Sequence, residues 1–367
     1  MADPIPYGYT SHDESTTHDK YTADSPPKPN ATAIIKAYLR ERVPEFQALD
    51  AARREGWNDP DVDEVFIRRR QRADNADAAS QEKFFRMMIR NGEELNEATG
   101  GFNILRDDTD EIPTSIVDFC MAPGAFLETA LRANPGSRAL AFTLPPDKGG
   151  HSVLLPYHEA VEVRFLDVNL LAEDMGCLKI PPDHTEPSGF IPRQLTEGKR
   201  CFNLALCDGQ VLRNHPRAAY RERRETSRLI MVQLALGLEH LKNGGTMIVL
   251  LHKVEHWNTV QLLRTFAKFS TLKVFKPSNA HTTRSSFYMV ASDIQVLHAQ
   301  ALEAVKRWMK VWQAATFGTD EEFEEARRSS VGPEEVLEEF GETLVEMGRE
   351  IWRIQGDALA EKARNGW

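Results

Sequence analysis

Four cysteines in 367 residues, none at a CxxC or Cys/His spacing, argue against a zinc module or a disulfide framework. Cys120, Cys177, Cys201 and Cys207 are expected as reduced, buried thiols, three of them in or beside apolar strand-like runs. No stretch approaches the roughly 18 apolar residues of a membrane span, so no membrane partner is expected. The opening "MADPIPYGYTSHDESTTHDKYTADSPPKPNATA" lacks the apolar core of a secretory signal, and an intracellular location, cytoplasmic or nuclear, follows as the expectation. A GxGxxG fingerprint is missing, and so is an excess of positive charge. The formal charge of -10 disfavours a protein whose whole surface holds polyanions and leaves room only for a local basic patch. No internal repeat is visible.

What is present divides the chain into four parts. Residues 1–30, rich in Ser, Thr, Asp and Pro, cannot bury enough apolar surface to offset ordering and are expected to form a disordered tail. Residues 31–98 read as a helical N-terminal extension: "AIIKAYLRERVPEFQAL", "VDEVFIRRRQRA" and "SQEKFFRMMIRNGEEL" carry apolar residues at three- and four-residue spacing. Within it, "RRRQR" is read as a solvated helix face. Residues 99–295 alternate short apolar runs with amphipathic stretches, the texture of an α/β fold with a mostly parallel sheet. Strands are expected at "SIVDF", "RALAF", "VEVRF", "FNLALC", "TMIVLL", "LKVF" and "SFYMVA", and the short spacer before the last makes an antiparallel terminal hairpin. Residues 296–367 are helical and acidic; from 301 onward fifteen acidic residues face nine basic ones. Trp308 and Trp312, one turn apart, are expected to pack on the sheet domain or on a partner helix.

In open α/β sheets ligands sit beyond the carboxyl ends of the strands. There "VDFCMAPGAF" places Asp118 at a strand end, a Pro123-Gly124 turn, and a helix N-terminus that favours an anionic group. A ligand with an ammonium and a carboxylate next to a nucleoside suits this turn, and S-adenosylmethionine is such a ligand. Asp167 closes a second strand, where it could accept from an adenine amino group. Asp208 and Lys253 close two more.

In order and spacing these segments resemble the FtsJ/RrmJ-like RNA 2'-O-methyltransferases, including the cap-1 ribose methyltransferases. The resemblance rests on "DFCMAPGAF", "ALCDG", "LLHKV" and "VFKPSNAHTTRSSFYMVAS" and covers about residues 115–294. It implies a Rossmann-like sheet, S-adenosylmethionine as cofactor with no metal, and methyl transfer to a ribose 2'-hydroxyl. It implies cofactor contacts at Asp118, Cys120, Ala122, Pro123, Gly124, Phe126, Thr143, Asp167 and Asp208. The family's K-D-K-E tetrad carries over as Asp208 and Lys253, the latter as base. Lys83 or Arg86 would take the first position, and Arg cannot deprotonate there. The fourth position, Glu in the family, is Ser286, which supplies no negative charge to tune Lys253; Glu255 is a candidate substitute if its loop folds back.

An RNA partner, whether cap, tRNA or rRNA, needs positive charge near Asp208. "GQVLRNHPRAAYRERRETSR" is locally +4, with Arg213, Arg217, Arg221 and Arg224 as candidate phosphate contacts and Tyr220 as a stacking platform. Lys276 and Arg284, with Lys273 and His281, extend the charge along the last hairpin. Three functions stay open: an RNA 2'-O-methyltransferase, a non-catalytic cofactor-binding scaffold whose helical ends bind protein, and a methyltransferase for a small molecule or protein.

Overall fold

The computed structural model describes residues 30–57, 77–105 and 113–365. Residues 1–29 of the expected tail and the "RRRQR" helix face lie outside the described residues.

Seven strands form one sheet in the order β3-β2-β1-β4-β5-β7-β6: β1 Ser115–Asp118, β2 Arg138–Thr143, β3 Val161–Phe165, β4 Phe202–Cys207, β5 Leu241–His252, β6 Thr271–Phe275 and β7 Ser286–Ile294. The first five run parallel, and β7 is antiparallel to both β5 and β6. This is the expected mostly parallel sheet with an antiparallel terminal hairpin. The central strands are apolar throughout because both faces are covered. Along β1, Ile116 packs with one layer and Val117 with the other; Leu204 and Ala205 divide the same way on β4, and Ile248 and Val249 on β5.

Nine α-helices cover the sheet among the described residues. They are α1 Ala31–Arg42, α2 Pro44–Trp57, α3 Ala78–Thr99, α4 Ala125–Ala133, α5 Glu225–His240, α6 Trp257–Ala267, α7 Ala299–Phe317, α8 Asp320–Arg327 and α9 Pro333–Asn365. Helices α3 and α4 pack on the face that carries Ile116, Leu204 and Ile248. The other face takes α5, α6 and α7, with α1, α2 and α9 continuing the same core. The single helical stretch read across residues 33–49 is two helices. Pro44, which has no N–H to donate, starts α2 after Val43 leaves the helical region.

Trp308, Trp312 and Trp352 of the acidic end are core residues. Trp308 stacks on Phe266 with ring centroids 5.7 Å apart, and Trp312 is fully buried. Trp352 on α9 meets Phe46 on α2 edge to face at 5.4 Å. Its indole N–H donates to Glu255, whose carboxylate is 1% exposed and also takes Arg53 Nη1 at 2.6 Å. Burial alone pushes the Glu255 carboxyl up, but the Arg53 charge and hydrogen bond carry it below its usual range. Glu255 is therefore the anchor that ties α2 and α9 to the end of β5, and does not stand in for the missing tetrad glutamate. No helix among the described residues is long and apolar enough to cross a membrane.

Candidate active site

Strand β1 lies between β2 and β4, so the crossovers leave in opposite directions and open a crevice at its carboxyl end. A cavity of about 180 Å³ occupies that position. Its wall is built by the loops after β1, β2, β3 and β4, by Phe84 and Met88 of α3, and by the ends of β5 and β7.

The turn after β1 is shaped by Gly124, whose φ of +104° suits glycine alone. A Cβ there would lie 2.9 Å from Leu155 Cβ and 3.1 Å from Met121 Sδ. The Pro123 carbonyl accepts from the amides of Leu154 and Leu155 at 2.9 and 3.2 Å, which lays residues 151–155 over the turn. Ala125 is the first residue of α4 and is buried. Cys120, Ala122, Pro123, Gly124, Phe126, Thr143, Asp167 and Asp208 all line the cavity. Asp118 sits just behind the wall, 1% exposed, and accepts from the Cys120 N–H.

Asp118 and Asp208 set the charge of this end. Burial raises the Asp118 carboxyl well above its usual range and the nearby Asp208 adds to it; burial likewise pushes Asp208 up to about 6. Among the described residues no basic side chain bonds to either. A buried carboxyl beside a half-buried one is costly to ionise without a cation, and a ligand that brings positive charge removes the cost. Cys120 lies between them, its thiol pushed far up by burial and then by these carboxylates, so it is an inert packing residue.

Asp167 has less freedom than expected. One oxygen caps the Asn169 amide at 3.0 Å; the other takes Arg221 Nη2 at 2.5 Å and stands 3.6 Å from His215 Nε2. Asp167, His215 and Glu225 are close enough to hold a metal ion, but Arg221 bonds to both carboxylates, twice to Glu225, and Arg228 adds a third bond to Glu225. Asn169 Oδ1 is buried without a hydrogen-bond partner among the described residues, on a residue that lines the cavity. Sequence reasoning passed over it although it stands two residues beyond Asp167.

The arginine run does not form the expected patch. Arg221 is 3% exposed inside the Asp167–Glu225 cluster. Arg224 donates to the carbonyls of Ala314 and Gly318 and pairs with Asp320. Arg217 donates to the Leu212 and His215 carbonyls and pairs with Glu222. The Tyr220 ring meets His184 edge to face at 4.9 Å, beside Arg228, and is packed inside. Lys276 is buried too, donating to the carbonyls of His281, Arg284 and Ser286 at 3.2, 2.6 and 3.0 Å. Arg213 does not line the cavity; of the seven expected substrate contacts, only Arg284 does.

The tetrad positions are brought together only in part: the Lys253 N–H donates to the Ser285 carbonyl at 2.9 Å, beside Ser286. Asp208 and Ser286 line the cavity; Lys83 and Lys253 do not. Lys83 and Arg86 are exposed on α3, Arg86 pairs with Glu82, and the face turned to the cavity carries Phe84 and Met88. On β5 the cavity face shows Leu250 and His252, two apart as strand alternation requires. Lys253 follows in the left-handed region at φ +48°. In place of two lysines this end presents His252, His281, Arg284, Ser286 and Tyr288. None of the histidines was predicted to take part in catalysis, though the period of two along β5 would have pointed to His252.

The sequence model of the FtsJ-like methyltransferase family matches residues 90–294. No curated protein sequence matches the chain. Solved structures similar to it include an O-methyltransferase family protein from Burkholderia thailandensis, 12% identical over 61% of this chain and 63% of that one, with a TM-score of 0.32. An rRNA methylase from Streptococcus thermophilus is 13% identical over 50% of this chain and 88% of that one, TM-score 0.29. Human methyltransferase-like protein 13, in complex with SAH, is 15% identical over 67% and 89%, TM-score 0.30. The chain thus spans less than two thirds of the first of these. The family match takes in all seven strands and every loop of the crevice, more than half of the sequence, and the chain belongs to the FtsJ-like methyltransferases.

Proposed function

We propose that this chain binds S-adenosylmethionine in the cavity and transfers its methyl group to a hydroxyl on an acceptor small enough to enter at the Phe84, His281 and Tyr288 end. The observation that carries the cofactor reading is the buried Asp118 beside the half-buried Asp208, with no basic side chain bonded to either among the described residues, beneath a glycine turn. The ammonium would lie near that pair. The Gly124 turn and the start of α4 would hold the methionine carboxylate. Thr143, Leu144 and residues 166–169 would take the nucleoside. The bound cofactor supplies an electrophilic methyl on a sulfonium; the chain's own residues orient the acceptor and exclude water.

A small acceptor fits better than a polynucleotide because the basic groups expected to hold phosphates are bonded within the fold. RNA ribose is the second reading. It is favoured by the family and by Lys253, the next residue after a cavity-lining one.

The test pairs calorimetry with S-adenosylhomocysteine and transfer of tritiated methyl to capped RNA, tRNA, rRNA and a set of small hydroxyl compounds. Label on a small compound and none on RNA is the expected outcome. Label on RNA ribose that Lys253→Ala removes would replace this reading with the second. Cofactor binding with no transfer to any acceptor would make the chain a scaffold.

A further inference from the structure

The two edges of the sheet end differently. Helices α3 and α9 pack against β6, and Lys273 Nζ donates to the Thr99 carbonyl at 3.0 Å. At the other edge the sheet stops at β3, a strand bonded on one side only, to β2. The Ala139 N–H donates to the Ala160 carbonyl and the Leu166 N–H to the Thr143 carbonyl, at 2.9 and 2.8 Å. Alternate residues carry the bonds of a parallel pair, so 160, 162, 164 and 166 face β2, while Val161, Val163 and Phe165 turn their peptide groups outward. The Val161 N–H is taken by the His158 carbonyl at 3.0 Å. Among the described residues nothing bonds to the outward peptide groups of Val163 and Phe165. Such an edge is a template for another strand.

The edge reads Val-Glu-Val-Arg-Phe, which is complementary to itself when reversed about Val163. Laid antiparallel on a second copy, with Val163 opposite Val163, it sets Glu162 opposite Arg164 and Phe165 opposite Val161 on each side of the centre. The Val163 pair then exchanges backbone bonds, and each Phe165 N–H meets a Val161 carbonyl. Glu162 and Arg164 fall at the positions without backbone bonds, where Cα atoms approach to about 4.5 Å and side chains are closest. Moving the centre by one residue either way would set Glu162 against Glu162 or Arg164 against Arg164, so charge selects one register. Arg164 is already in place for it: Nε donates to Glu162 and Nη1 to the Gln194 carbonyl, both at 2.7 Å. The Phe165 ring, 52% exposed, gains a β-branched neighbour from the second copy.

We infer that β3 is a dimerisation edge, at which two copies of this chain join antiparallel about Val163 into one continuous sheet. The inference is independent of the cofactor reading. Cavity-lining residues 166–169 follow β3 directly, and the two copies of β3 run in opposite directions, so the two crevices open at opposite rims of the joined sheet.

The experiment is sedimentation equilibrium of the full chain at neutral pH and low salt, from about 1 to 100 µM, because a strand of five residues buries less than the roughly 1,200 Å² of a standard interface and holds a weak dimer. The wild type is expected to dimerise reversibly. Glu162→Arg should weaken association at least about tenfold, because it sets like charges face to face on both sides of the centre. Arg164→Glu should do the same, and an equimolar mixture of the two variants should recover the dimer, since opposite charges then meet at every pair. Val163→Pro, at a position whose N–H points away from the sheet, should also weaken it. Circular dichroism checks that each variant is folded; should Arg164→Glu or Val163→Pro fail to fold, the exposed Glu162→Arg decides alone. A wild type that stays monomeric to about 100 µM, a dimer that Glu162→Arg leaves unchanged, or a mixture of folded variants that stays monomeric overturns the inference.

Discussion

Replacing Arg53 by Met removes the only charged partner, among the described residues, bonded to the Glu255 carboxylate, which is 1% exposed and 2.6 Å from Arg53 Nη1. Breaking a buried ion pair from one side costs about 3–5 kcal/mol, because the remaining charge is left uncompensated. Arg53 also donates to Gln355 at 2.9 Å, so two bonds between α2 and the rest of the fold go at once. The Trp352 indole bond to Glu255 remains, at 3.3 Å. The assay is urea unfolding at pH 7 followed by circular dichroism. At an m-value of roughly 3 kcal/mol/M the midpoint should fall by roughly 1–2 M. Arg349→Met is the control: it cuts an ion pair between the same two helices, but Arg349 is half exposed, and its loss should cost under about 1 kcal/mol. In the wild type the pair holds the Glu255 carboxyl low, so its stabilisation is present at neutral pH and is lost as pH falls through the folded value. Without Arg53, burial raises that carboxyl, and the variant's deficit should shrink in acid. A deficit no larger than that of Arg349→Met would refute the view that the terminal helices are keyed to the sheet through Glu255.

Three other outcomes follow from the site. Gly124→Ala should cost about 1–3 kcal/mol in thermal or urea unfolding, because it places a Cβ 2.9 Å from Leu155 at φ +104°. Arg221→Met should destabilise by about 3–5 kcal/mol, since it strands Asp167 and part of Glu225; equal cost for Arg223→Met, exposed on the same stretch, would contradict the buried-cluster account. Calorimetric affinity for S-adenosylmethionine should rise with pH up to about 6 and then level, because a cationic ligand prefers the ionised form of Asp208. Affinity flat between pH 5 and 7 would separate Asp208 from the ligand.

The strands were legible because parallel strands buried on both faces read as unbroken apolar runs, and the loop at Pro123-Gly124 because a left-handed turn demands glycine. The fates of the arginines were not. A run such as residues 213–228 looks like a solvated patch until Asp167 and Asp320 arrive from distant parts of the chain. Part of that was readable: Arg221, Glu225 and Arg228 stand four and three apart, which places them on one helix face. Lys83 lies outside the cavity lining because the apolar spacing of α3 turns Phe84 and Met88 inward. Lys253 lies outside it because the chain leaves the strand at His252. His281 was seen only as positive charge, since neither its left-handed backbone nor its buried ring nitrogen has a sequence signature.

The central claim is that the crevice at the carboxyl ends of β1 and β4 holds S-adenosylmethionine. Calorimetric titration of the full chain with S-adenosylhomocysteine, wild type beside Asp208→Ala, tests it most directly. The account predicts one molecule bound per chain, with affinity at least about tenfold weaker in the variant. Absence of binding to the wild type, or equal binding to both proteins, would contradict it.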